Sequence, residues 1–126
     1  MMPITALLHA TFLVADLDKA HAFYEDTLGL VANPARPDLG FCGTWYDLGP
    51  HQQLHLMQLP NPEIGLQRPL HGGRDRHVAL GVTDLPALIN KLQEAGVPFN
   101  LSKSGRRALF CRDPDDNALE FIEGKS

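Results

Sequence analysis

Residues 9–30 read "HATFLVADLDKAHAFYEDTLGL", and the chain returns to the same pattern at residues 77–97 with "HVALGVTDLPALINKLQEAGV". Each copy runs from a histidine through six residues to Asp-Leu, His9 to Asp16 and His77 to Asp84, then through an amphipathic stretch to Gly29 or Gly96. An Asp side chain caps the free N–H groups that open a helix, and Gly adopts the left-handed conformation that closes one. Each copy therefore predicts a capped helix. Ahead of it, alternation predicts a strand. Ala10, Phe12 and Val14 in one copy, and Val78, Leu80 and Val82 in the other, fall on the face that packs under the helices. The opposite face carries His9, Thr11 and Leu13, or His77, Ala79 and Gly81. Small residues beside each histidine leave room for a ligand.

Three shorter apolar runs follow each helix. They are "LVAN" (30–33), "FCGTWYDLG" (41–49) and "QQLHLMQL" (52–59) in the first half, and "PFNLS" (98–102), "RALFCRDP" (107–114) and "NALEFIEG" (117–124) in the second. The reading is an α+β chain, residues 1–126 as one domain, of two βαβββ modules at about 4–59 and 76–123. A Pro-rich linker, about 60–75, joins them. The closing strands correspond as well: "LHLMQ" (54–58) lines up with "LEFIE" (119–123), which sets His55 against Glu120. Leu54, Leu56, Leu119 and Phe121 then face the helices, while His55 and Glu120 face the other way. Two imidazoles and a carboxylate suit first-row divalent metals, and the two-His, one-carboxylate set is that of non-haem Fe(II). The plainer alternative has the histidines as satisfied core residues and Glu120 paired with an arginine.

A chain of 126 residues can bury a core without staples. Its net charge of −4 argues against nucleic acid or an anionic membrane as partner. No stretch is long and apolar enough to span a bilayer and no signal-peptide pattern opens the chain, so a cytoplasmic protein is expected. Cys42 and Cys111 each follow a Phe and are expected to be buried, reduced thiols.

The stretches "HATFLVADLDKAHAFYEDTLGL", "RHVALGVTDL" and "CRDPDDNALEFIE" together resemble the vicinal oxygen chelate superfamily, the glyoxalase, bleomycin-resistance and extradiol dioxygenase group. The resemblance implies curled mixed sheets forming a metal-binding cavity, with ligands on the first and last strand of each module. Position by position, His9, His77 and Glu120 match the ligands shared by metal-binding members. His55 matches a fourth position, where glyoxalase-like members carry Glu and epimerase-like ones Gln. "DPDDNALEF" resembles the family's closing hairpin with Asp116 in place of the usual Gly, a residue that tolerates the left-handed turn.

What the resemblance implies for function is one divalent ion per site, Fe, Ni, Mn, Co or Zn, that takes two neighbouring oxygens of a small-molecule substrate. The implied enzyme is a lyase or isomerase of the glyoxalase kind, or a dioxygenase. Glu120 would then serve as ligand and proton shuttle, and His55 as ligand or acid-base group. A drug- or metabolite-sequestering protein of the bleomycin-resistance kind and a fosfomycin-type thiol transferase are the alternatives. A homodimer is implied too, with modules paired within or across chains. Thr11, Arg74, Arg76 and Trp45 are candidates for touching substrate. Their bland counterparts are a small wall residue, a solvated loop for both arginines, and aromatic core packing. His71 is read as a loop histidine, His21 and Lys19 as helix residues facing water, and His51 as a turn residue.

Overall fold

Alternation and capping build each half in turn. In the computed structural model, which describes residues 3–124, the first half contains β1 (His9–Val14), helix α1, β2 (Gly43–Leu48) and β3 (Gln52–Gln58). Helix α1 is α-helical over Leu17–His21 and continues as a π-helix over Ala22–Thr27. The second half opens with a 3-10 turn at Gly72–Arg74. It continues through β4 (His77–Val82), helix α2 (Leu85–Glu94), β5 (Phe99–Leu101), β6 (Ala108–Arg112) and β7 (Ala118–Glu123). Asp16 accepts from the N–H groups of Asp18 and Lys19, and Asp84 from that of Ala87, so both predicted N-caps are in place. Gly96, at φ +70°, ends α2 while Val97 N–H returns to the Leu92 carbonyl at 2.8 Å.

Two mixed sheets result, in the orders β1-β3-β2 and β4-β7-β6-β5. The outer strands β1 and β4 run parallel to β3 and β7, and the remaining pairs are antiparallel. The first sheet is one strand short of expectation, because "LVAN" makes only an isolated bridge, Ala32 to Tyr46. The cause is local. Asn33 bends the chain by accepting from Ala35 N–H at 2.8 Å, and Pro34 and Pro37 supply no N–H for a ladder.

The core lies between sheets and helices. Val14, Leu54 and Leu56 from one sheet and Leu109, Leu119 and Phe121 from the other are buried with Ala20, Phe23, Tyr24 and Leu92 of the helices. Each fully buried leucine contributes about 2 kcal/mol by leaving water. The wide π turn lets consecutive aromatics, Phe23 and Tyr24, both reach this core. His21 faces water only in part: it is half-buried, with Nε2 2.7 Å from Thr44 Oγ1, and helps seat α1 on β2. Lys19 is exposed and His51 lies in the β2–β3 turn.

Polar contacts hold the halves together. Tyr24 Oη donates to Asp113 Oδ2 at 2.6 Å, Asn117 Nδ2 to the Leu13 carbonyl at 3.2 Å, and Ala15 N–H to Asp115 Oδ1 at 3.0 Å. Burial pushes the Asp113 carboxyl above its ordinary range, against the hydrogen bonds from Tyr24 and Asn117. Asp116 holds φ +64° in the β6–β7 hairpin, the left-handed turn its position requires. The linker is fastened by Asp75, which accepts from Arg68 Nη1 at 3.2 Å and Arg112 Nη1 at 2.8 Å, while Arg112 Nη2 reaches the Pro69 carbonyl.

The two cysteines part company. Cys111 is buried and its thiol is pushed up to about 12, chiefly by burial. Cys42 is exposed, which corrects the expectation of burial. It precedes β2, and its neighbour Phe41 lies under the Arg36 guanidinium, at 5.2 Å, instead of drawing the segment into the core.

Candidate metal centre

The face of each sheet away from the helices carries the residues of interest, and strand register puts them in rows. His9 is paired with Gln53, and Thr11 with His55, which pairs in turn with Trp45 on β2. In the second sheet Ala79 is paired with Glu120, which pairs with Phe110. His55 and Glu120 thus occupy equivalent places, each opposite the residue two beyond the strand's opening histidine.

The first pair is a stack. His55 lies between Trp45, at 4.5 Å and 9°, and His9, at 4.0 Å and 14°. Burial, then the neighbouring His9 and Arg36, hold His55 below the usual histidine range, so its neutral form dominates at neutral pH. The neutral ring is the form that binds metals or accepts a proton.

The second pair is electrostatic. Glu120 is only 3% exposed, a buried carboxylate that needs partners. Its Oε2 accepts from Arg106 Nη2 at 2.9 Å, and its Oε1 lies 3.3 Å from His77 Nε2. The His77 ring has its other nitrogen, Nδ1, 2.9 Å from the Asp75 carbonyl. A carbonyl only accepts, so Nδ1 carries a hydrogen, and Nε2 is the nitrogen turned toward a carboxylate oxygen. A cation between this nitrogen and this oxygen, a proton or a metal ion, makes their approach favourable. Nitrogen and oxygen donors about 3 Å apart are spaced like neighbouring ligands of one ion at 2.0–2.2 Å. Arg106 on Oε2 fixes the carboxylate and leaves Oε1 free, so the donor set fits a first-row divalent ion. Phe110 walls this corner, edge-on to His77 at 5.4 Å and 4.9 Å from His71. His71 accepts from Gly73 N–H through Nδ1 and is half-buried.

The two pairs stand on different sheets. Among the described residues no three of His, Cys, Asp and Glu come close enough together to hold a metal ion within one chain. The other candidates have definite places. Thr11 and Arg76 line a cavity of about 300 Å³ with Glu63, Arg68, His77 and Asn117. Arg76 Nη2 is already engaged by both Glu63 oxygens, at 2.7 and 2.8 Å. Arg74 ends the 3-10 turn, exposed. Trp45 is half-buried in the stack on His55.

Sequence reasoning missed Arg106, Phe110 and Gln53. Gln53 was within reach, since it stands two residues before His55 on the same strand face, with its Oε1 2.8 Å from His55 Nε2. Arg106 comes from a loop and carries no periodic signal. It does fulfil the plainer alternative, in which Glu120 pairs with an arginine, yet only one of the two carboxylate oxygens is used.

Comparison with known proteins bears on this arrangement. The family model of the Glyoxalase/Bleomycin resistance protein/Dioxygenase superfamily matches residues 6–121. The lactoylglutathione lyase of Haemophilus influenzae is 28% identical over 127 residues, covering 95% of this chain and 93% of that protein. Among solved structures, TnmS3, an antibiotic-binding protein from Streptomyces sp. CB03234, superposes with a TM-score of 0.73 at 22% identity, covering 99% and 100% of the two chains. The trypanothione-dependent glyoxalase I of Leishmania major gives 0.69 at 24% identity, over 95% and 87%. At these identities the superpositions speak for the fold. No helix among the described residues is long and apolar enough to cross a membrane.

Proposed function

The chain belongs to the Glyoxalase/Bleomycin resistance protein/Dioxygenase superfamily, and on that footing we propose that it is a divalent-metal-dependent enzyme. Its substrate is a small molecule with two neighbouring oxygens, and its chemistry is of the lyase or isomerase kind. The observation that carries the reading is His77 Nε2 facing Glu120 Oε1 at 3.3 Å, with the far side of each group already tied to Asp75 or Arg106. The names of relatives, lactoylglutathione lyases 28% identical over nearly the full chain, favour lyase over dioxygenase chemistry.

His9, His77 and Glu120, with His55 as the fourth group, would hold the ion. When bound, it supplies Lewis-acid polarisation of the substrate oxygens. The protein's own groups supply the rest. Arg106 holds Glu120 on one oxygen while the other stays free to hold or move a proton. When it is not itself bound to the ion, His55, neutral and half-buried, can take a proton without first losing one. Thr11 stands opposite His55, and Arg76 lies along the cavity beside His77, where both can touch substrate.

Because one chain presents its groups as two separate pairs, the reading includes a homodimer. The His9–His55 pair of one copy meets the His77–Glu120 pair of a second, as the exposure of His9 and His77 allows. The test is a mixing experiment. A chain with His9→Ala and His55→Ala and a chain with His77→Ala and Glu120→Ala should each bind no nickel or zinc alone. Mixed and allowed to exchange, they should regain binding, since each heterodimer reunites one intact set. No recovery overturns the cross-chain arrangement. Full metal binding by either variant alone overturns the ligand assignment. Wild-type protein that takes up no divalent ion, yet binds small molecules, supports sequestration instead.

A further inference from the structure

Behind His55 on the same sheet face stand Gln53, two residues earlier on β3, and Asp47, paired with Gln53 on β2. The Asp47 carboxylate accepts from Gln53 Nε2 at 2.9 Å and from Asn33 Nδ2 at 3.1 Å. An ionised carboxylate has nothing to donate, so the Gln53 amide must turn its NH2 toward Asp47. Its carbonyl oxygen therefore points the other way, to His55 Nε2 at 2.8 Å. A carbonyl oxygen only accepts, so His55 Nε2 carries the hydrogen. A neutral imidazole has one N–H, and the remaining lone pair is on Nδ1.

We propose that Asp47 and Gln53 are positioning residues that hold His55 as its Nε2–H tautomer, so that Nδ1 is the nitrogen this ring offers as proton acceptor or ligand. His77 is set the opposite way, with Nδ1–H on the Asp75 carbonyl and Nε2 turned to Glu120. The two rings thus present opposite nitrogens, and His55 is no simple replacement for a carboxylate. The stack secures the choice. Sandwiched between Trp45 at 4.5 Å and His9 at 4.0 Å, the ring cannot turn over to exchange its nitrogens unless the stack first opens. The inference rests on hydrogen bonds alone and needs no bound ion.

Long-range proton–nitrogen correlation spectra of the full chain, freed of divalent ions with chelator and recorded above the histidine titration range, read the tautomers directly. In wild type, His55 should show Nε2 at a protonated nitrogen's frequency and Nδ1 at an unprotonated one's, with Nδ1 of His77 at a protonated nitrogen's frequency. The opposite pattern at His55, or averaged frequencies, overturns the proposal. In Gln53→Leu the two His55 nitrogens should move toward a common average while the His77 pattern, an internal check on folding, stays put. A His55 pattern unchanged by that substitution removes Gln53 from the role. With no ion in the sample, these outcomes stand apart from the metal reading, which the mixing experiment tests.

Discussion

The two cysteines show how far a single residue's surroundings decide its chemistry. Cys111 sits on a central strand, buried, with its thiol pushed up to about 12, so almost none is thiolate at neutral pH. Cys42 is open to solvent. Iodoacetamide should label Cys42 at neutral pH while Cys111 reacts at least about 100-fold more slowly until denaturant is added, as peptide mass analysis would show. Equal labelling in the native protein would mean that β6 opens readily. The neighbours of both cysteines look alike in sequence, a Phe before each; what separates them is that Cys111 lies within β6 while Cys42 precedes β2. Period-two alternation did reveal that His55 and Glu120 share a face with His9 and His77. The Gln53–His55 contact follows from the same alternation. Arg106 and the Asp75 carbonyl come from irregular segments, whose direction depends on the finished fold and leaves no pattern in the chain.

At the scale of elements, the repeat made both helices legible, since Asp16 and Asp84 cap them and Gly29 and Gly96 close them. The absent strand at residues 30–33 was not, because a short apolar run cannot form a ladder beside Asn33 and Pro34. Nor was the π turn of α1, which answers to packing more than to propensity. Helix α1 is fixed to the β6–β7 hairpin through Tyr24 Oη and Asp113, both almost wholly buried. Tyr24→Phe should therefore cost about 2 kcal/mol, because it removes a charge-assisted hydrogen bond and leaves a buried acceptor short of a donor. Urea unfolding should show the lower midpoint with an unchanged slope. A loss within error would mean that water replaces the hydroxyl.

For the whole molecule, the pH dependence of stability follows from opposed carboxylates. Burial pushes the Asp75 carboxyl up, but hydrogen bonds from Arg112, the Arg76 backbone and Arg68 outweigh it, and Asp75 titrates below its ordinary value. Its contribution is complete above the unfolded carboxylate value of about 4 and is lost as pH falls through the lower folded value. Asp113, raised by burial, has the opposite sign: its contribution is present in acid and lost as pH rises through its folded value. Asp75→Asn should cost about 2 kcal/mol at neutral pH and flatten the acid side of the stability curve below about pH 4. An equally steep acid side would place the sensitivity in other groups. The stack at the first sheet has a last consequence. The chain's one tryptophan, Trp45, lies ring to ring on His55, so all of the protein's tryptophan fluorescence is emitted from beside the candidate centre. Whatever protonates, coordinates or displaces His55 can be watched as a change in light, with no label attached.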